Sequence, residues 1–189
     1  MKILIACEFS GEVRNAFSRY GHDAWSCDIL PSATPGNHIQ GDVYDVLYDP
    51  WDMLIGFPPC THLCISGARW FAEKVEEQAA ASAFFMSLVN APIHKICIEN
   101  PIGVMSTKHR KPDQIIHPYH FGHSETKATC LWLKNLPRLN HTYVSVGRKG
   151  RIHNMAPSKD RGVLRSIMYP GIAAAMAKQW GGPSVELPN

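Results

Sequence analysis

A cysteine stands behind a proline pair in Gly56-Phe57-Pro58-Pro59-Cys60, directly after the apolar run Asp52-Met53-Leu54-Ile55. Neither proline can donate to a sheet ladder, and each restricts the residue before it. The chain must therefore leave its strand as a stiff loop that carries the thiol. A thiol at a strand exit, outside any apolar run, can be a nucleophile, a metal ligand or a bystander. Further on, Glu99-Asn100-Pro101 closes the run Lys95-Ile96-Cys97-Ile98 in the same way. If the two strands are neighbours, both loops face one crevice beyond the carboxyl ends of the sheet, where open α/β sheets bind their ligands. A thiol and a carboxylic acid in one pocket suit a particular reaction: the thiolate adds to an electron-poor ring while the acid protonates or hydrogen-bonds a ring nitrogen. The plainer alternative makes Glu99 the partner of a nearby Lys or Arg.

Other residues invite chemistry less strongly. Zinc would draw on Cys60, Cys64, His94 and Cys97, whose spacings approach those of zinc sites, but Cys97 lies inside an apolar run and belongs to the core. His117, His120 and His123 have no thiol or carboxylate close by in sequence and read as a polar loop. No metal is expected. Gly11, in the turn after the first apolar run, would let backbone approach a ligand. Asp28, at the end of the second run, could accept hydrogen bonds from ribose hydroxyls. A tight turn and a surface acid account for the same two residues. Asp42, after Gly41, is either an adenine contact or a turn former.

These residues need a scaffold, and the pattern supplies one. Residues 2–7 form a strand-like run; Val13, Ala16, Phe17 and Tyr20 then recur at helical spacing until Gly21 stops them. AWSCDIL, HIQGDVYD, DMLIGF, KICIENP and TCLWLKNL are further strand candidates. From 69 to 91 a covering helix is predicted, with Phe71, Val75, Ala79, Ser82, Phe85 and Val89 on its inner face. Pro170 opens a last helix, GIAAAMAKQW. Alternating strands and helices predict an α/β fold with a mostly parallel sheet and helices on both faces. Residues 102–128 show no clear element, and 138–166 is polar and basic.

With 189 residues, 45% of them hydrophobic, the chain suffices for one core, so 1–189 is read as one domain. Four of six cysteines (Cys7, Cys27, Cys97, Cys130) sit in apolar runs, which implies buried thiols rather than disulfides. The net charge of +3 permits nucleic-acid contact without demanding it. Its distribution says more: Arg148, Lys149, Arg151, Lys159, Arg161 and Arg165 face a single acid, Asp160. The N-terminal apolar run breaks at Glu8, too early for a signal peptide or a membrane span, so a soluble, cytoplasmic chain with no membrane partner is expected.

Taken in order, EFSG, Asp28, GDV, GFPPC and IENP resemble the N-terminal motifs of the DNA (cytosine-5) methyltransferases, and PGIAAAMAKQW resembles the family's closing helix. The resemblance is good over residues 2–101 and loose over 165–181. It implies a Rossmann-like methyltransferase fold and the cofactor S-adenosylmethionine. Cys60 would be the nucleophile toward cytosine C6, with Glu99 at N3 and the exocyclic amine, supported by Pro59 and Asn100. Phe9, Ser10, Gly11 and Pro58 would border the cofactor, with Asp28 at its ribose and Asp42 and Val43 at its adenine. Lys127 would stand in for a basic residue at the base pocket. Family members insert a large target-recognition region; here 138–166 takes its place, with Arg148, Lys149, Arg151 and Arg165 expected on the substrate. The implied substrate is DNA. RNA, a free cytosine nucleotide, and a non-catalytic nucleic-acid or cofactor binder are the alternatives.

Overall fold

The computed structural model describes residues 1–66, 73–151, 155–156, 158 and 161–182. Its strands are β1 (Lys2–Ala6), β2 (Asp23–Asp28), β3 (His38–Gln40), β4 (Met53–Gly56), β5 (Lys95–Pro101), β6 (Gln114–Ile116) and β7 (Thr129–Lys134). The helices are α1 (Glu12–Arg19), α2 (Val75–Val89), α3 (Met105–Lys108), α4 (Arg161–Ser166) and α5 (Pro170–Trp180). The strands form one sheet in the order β3-β2-β1-β4-β5-β7-β6. Only β7 runs antiparallel to its neighbours, so the sheet is a Rossmann-like one with β7 slipped between β5 and β6.

The central strands read as continuous apolar runs because both of their faces are covered. Ile3 and Ile5 of β1 join Met53, Ile55 and Cys97 under α1 and α5. Leu4 and Ala6 alternate to the other face, with Leu54, Ile96, Ile98 and Trp132, under Phe85 and Leu88 of α2. α1 ends where expected. Gly21, at φ +76°, donates to the Ser18 carbonyl, and His22 donates to that of Phe17, which closes the helix in a Schellman turn. α5 packs beside α1 with Ile172, Ala173, Met176 and Trp180 buried.

Three elements differ from the sequence pattern. α2 starts at Val75, which is 65% exposed, and Ala79 also faces solvent. Only the second half of α2 lies on the sheet, through Ala81, Phe84, Phe85 and Leu88, while Glu76 and Glu77 favour a solvated first turn. Residues 67–72, which include the first four of the expected helix, lie outside the described residues. β6 was not legible because three residues are too few to show a period. The polar, basic stretch contains α4, a helix that was not read from the pattern; residues 152–154, 157, 159 and 160 of that stretch, Lys159 among them, lie outside the described residues.

Candidate active site

β4 and β5 are parallel neighbours, with Gly56 opposite Ile98, so the loops that follow both strands leave the same end of the sheet. Phe57 makes the last ladder bond, its amide donating to the Ala6 carbonyl at 2.9 Å; Pro58 and Pro59 then end the pairing. Asn100, 1% exposed at the end of β5, donates through Nδ2 to the Pro58 carbonyl at 2.8 Å and ties one loop to the other. Beyond the prolines the Cys60 carbonyl accepts from the amides of Leu63 and Cys64, a single helical turn that starts at the thiol. That turn rests on 102–104: Val104 donates to the Leu63 carbonyl and Ile65 to that of Ile102. The approach is close enough that a Cβ on Gly103 would lie 2.0 Å from the Leu63 carbonyl oxygen.

These loops form the floor of a cavity of about 670 Å³, within the size range of small-ligand sites. Cys60, Cys64 and Glu99 line it, as do Phe9, Ser10 and Asp28 from the β1 and β2 ends, Lys127, and Gly162, Val163, Arg165, Ser166 and Met168 from α4 onward. Glu99 is 8% exposed. Burial pushes its carboxyl up from the usual range, against the opposing pull of Lys127 and the Thr129 hydroxyl. Burial raises the Cys60 thiol as well, reinforced by Glu99 and Cys64, while Lys127 and Arg165 draw it back down. Both shifts run toward the protonated forms, and Lys127 and Arg165 are placed to help the thiolate form. Lys127 Nζ donates to the Arg165 carbonyl at 2.9 Å, which anchors the start of β7 to α4 across the cavity.

The sequence expectations separate on this geometry. Cys60, Glu99, Asn100, Pro58, Pro59, Phe9, Ser10, Asp28, Lys127 and Arg165 share the cavity. Gly11 does not line it: at φ +76° its close neighbours are Thr34 Oγ1 and the Arg14 guanidinium rather than a ligand. Asp42 and Val43 also lie outside the lining. Asp42 accepts from the Tyr44 amide and caps the short 3-10 turn of 43–45, and Val43 is buried in the core. Arg148 lies over the Tyr119 ring at 3.6 Å and donates to the carbonyls of Ser145 and Gly147. Arg151 pairs with the buried Glu125 at 2.9 Å. Lys149 follows Arg148 along a segment bridged to Glu125, outside the lining. Of the five basic residues expected on the substrate, Lys127 and Arg165 reach the cavity, and Arg148, Lys149 and Arg151 do not.

Several cavity residues had no sequence signal of their own. Cys7, read as a buried strand thiol, follows β1 at φ +60° and lines the cavity. Glu8 is 5% exposed and its carboxylate accepts from the amides of Val13 and Arg14 at 2.7 and 3.1 Å. Arg14 is fully buried and donates to Ser26, Ser32, Thr34 and the Pro35 carbonyl. It thereby holds the 30–36 loop against α1. The one available cue was that Arg14 falls on the apolar face of its helix, between Val13 and Phe17.

No family model matches the chain, and no curated protein sequence matches it. Solved structures resemble it, two of them as follows. One, assigned as a DNA modification methyltransferase encoded within a prophage (E. coli), is 15% identical at a TM-score of 0.49, over 69% of this chain and 45% of that one. The other, a mutant of Spodoptera frugiperda DNMT2, is 12% identical at a TM-score of 0.45, over 78% and 54%. The chain spans about half the length of these structures. Among the described residues no helix is long and apolar enough to cross a membrane.

Proposed function

We propose that the chain is an S-adenosylmethionine-dependent methyltransferase that acts on C5 of cytosine, in DNA, through a covalent bond between Cys60 and C6. The observation that carries this reading is that Cys60 and the buried Glu99, whose carboxyl burial pushes up, line one cavity at the ends of adjacent strands. Residues 1–189 act as one catalytic unit, with 138–166 in place of a target-recognition domain.

The residues divide the work as follows. Lys127 and Arg165 favour loss of the Cys60 proton to solvent as the ring enters. The sulfur forms a bond to C6, and the C5–C6 electron pair moves through the ring. Glu99 gives its proton to N3, which neutralises the charge that develops there. Pro58, Pro59 and Asn100 hold the thiol in line for this attack. When bound, S-adenosylmethionine supplies the methyl group that the activated C5 takes. Loss of the C5 proton to a solvent base then breaks the C6–S bond, and Glu99 recovers its proton.

The cavity fits this cofactor through the acids at its β1 and β2 end. Asp28 lines it with one carboxylate oxygen already accepting from Leu30, which leaves the other for ribose hydroxyls. Phe9 and Ser10 form the adjoining wall. A base inside a duplex cannot reach Cys60, so the enzyme takes single strands or an extruded nucleotide.

A second reading keeps the chemistry and replaces the polymer with a cytosine nucleotide. The engagement of Arg148 with Tyr119 and of Arg151 with Glu125 favours it, because those guanidinium groups already have partners in the protein. Nucleoside mass spectrometry of DNA and of a free cytosine nucleotide, each incubated with the protein and a labelled methyl donor, decides between them. Label in 5-methylcytosine of DNA supports the first reading; label only in the monomer supports the second; label in neither overturns both.

A further inference from the structure

We propose that Thr34 is a positioning residue for the cofactor: its hydroxyl joins the loop between β2 and β3 to the turn after β1, and so fixes the spacing of two cavity walls. The inference rests on the cofactor reading above and adds what holds that end of the site in shape.

One wall is Phe9 and Ser10; the other is Asp28 and Leu30. The second wall continues from β2 into the loop of 29–37, in which no side chain is buried, so apolar packing does not hold it in place. Hydrogen bonds do. The Ala33 amide donates to the Phe9 carbonyl at 2.8 Å, and Thr34 Oγ1 donates to the Ser10 carbonyl at 3.0 Å. The same oxygen accepts from Arg14 Nη2 at 2.8 Å and from Asn15 Nδ2 at 3.1 Å. A hydroxyl has a single proton and two lone pairs, and here all of them are used. At its start the loop is held by His38, whose Nε2 donates to the Leu30 carbonyl at 3.0 Å. The Leu30 amide donates in turn to Asp28 Oδ1 at 2.9 Å, so the position of the loop also sets that of the carboxylate expected at the ribose.

Gly11 shows how closely this seam is fitted. A Cβ there would lie 2.2 Å from Thr34 Oγ1, so a side chain at this position would push the hydroxyl off the Ser10 carbonyl. In nucleotide-binding turns such a glycine admits the ligand; here it admits the protein's own threonine. Neither Ala33 nor Thr34 lines the cavity, so Thr34 acts on a ligand through Phe9, Ser10, Asp28 and Leu30 rather than by contact.

Calorimetry with S-adenosylhomocysteine and steady-state methyl transfer test this on the full chain. Thr34→Val keeps the side-chain shape and leaves Ser10, Arg14 and Asn15 without their partner; affinity should fall at least about tenfold. The KM for S-adenosylmethionine should rise by a similar factor, with kcat within about twofold of the parent. Thr34→Ser keeps the hydroxyl and should hold affinity within about threefold of the parent. Parental affinity in Thr34→Val, or equal weakening in Thr34→Ser, overturns the inference, because the hydroxyl is then not what matters. So does a fall in kcat at unchanged affinity. Hydrogen exchange on the parent protein keeps the test independent of how well the variants fold. Coupling between two sites is reciprocal, so saturating S-adenosylhomocysteine should slow exchange of the Ala33 amide at least about fivefold. Exchange that does not change there overturns the inference as well. If S-adenosylhomocysteine fails to bind the parent protein at all, the cofactor reading falls, and this inference with it.

Discussion

Substituting Gly103 by alanine should misplace Cys60 without touching it. The Cβ would sit 2.0 Å from the Leu63 carbonyl oxygen and 2.8 Å from its carbon, both backbone atoms. Neither can rotate aside, so 102–104 must move back by about 1.5 Å to reach ordinary contact. Two backbone bonds across the seam, Val104 to Leu63 and Ile65 to Ile102, stretch or break. At about 0.5–1.5 kcal/mol each, their loss costs roughly 1–3 kcal/mol. For a domain of this size that is a fall of about 2–12 °C in Tm. The turn that starts at Cys60 moves with Leu63, and a nucleophile about 1 Å out of place can lose on the order of 10²-fold in rate. Differential scanning calorimetry reads the first effect, and single-turnover methyl transfer at saturating donor reads the second. A variant with parental Tm and parental rate would refute the claim that this close approach positions the thiol.

Three further outcomes follow from the same geometry. Burial raises the Glu99 carboxyl above its unfolded value, so its stability contribution is full below the unfolded carboxylate pKa and is lost as pH rises through the higher folded value. Glu99→Gln should therefore gain Tm relative to the parent as pH rises across that window, measured by paired thermal melts; a flat difference would mean that Glu99 is not held neutral. Arg14→Met should cost roughly 3 kcal/mol or more in urea unfolding, because it strips donors from Ser26, Ser32 and Thr34 in a buried site; a change below about 1 kcal/mol would show that water replaces the guanidinium. Neutralising Arg151 should leave methyl-transfer activity and its salt dependence unchanged, since the side chain is paired with Glu125 outside the cavity; a flattened salt slope would place it on the substrate.

Much of the site was legible because it depends on strand exits. An apolar run interrupted by proline marks both the end of a strand and the start of its loop, and this located Cys60, Glu99 and Asn100 before any strand pairing was known. Gly21 was equally plain, since a left-handed residue after a helical run has one common use. Glu8 and Arg14 were not, because a buried charge is visible only through partners that are distant in sequence: Thr34 lies in a loop that meets α1 only after β2 has formed. The basic stretch misled for the same reason. Counting cations across 148–165 could not show that Arg148 is stacked on Tyr119, that Arg151 is paired with Glu125, or that Arg165 enters the cavity on a short helix. Val75 and Ala79 fitted a helical stripe, but both face solvent, and the helix meets the core only from Ala81 onward.

The most direct test of the central claim is covalent trapping. Substrates containing 5-fluorocytosine, as single-stranded DNA, duplex DNA, RNA and the free nucleotide, are incubated with the protein and S-adenosylmethionine, because fluorine at C5 cannot leave as a proton does. The account predicts a denaturation-resistant adduct that forms only with the methyl donor, maps by peptide mass spectrometry to Cys60, disappears in Cys60→Ser and persists in Cys64→Ser. No adduct on any of the four substrates, or one mapped to Cys64, would contradict it.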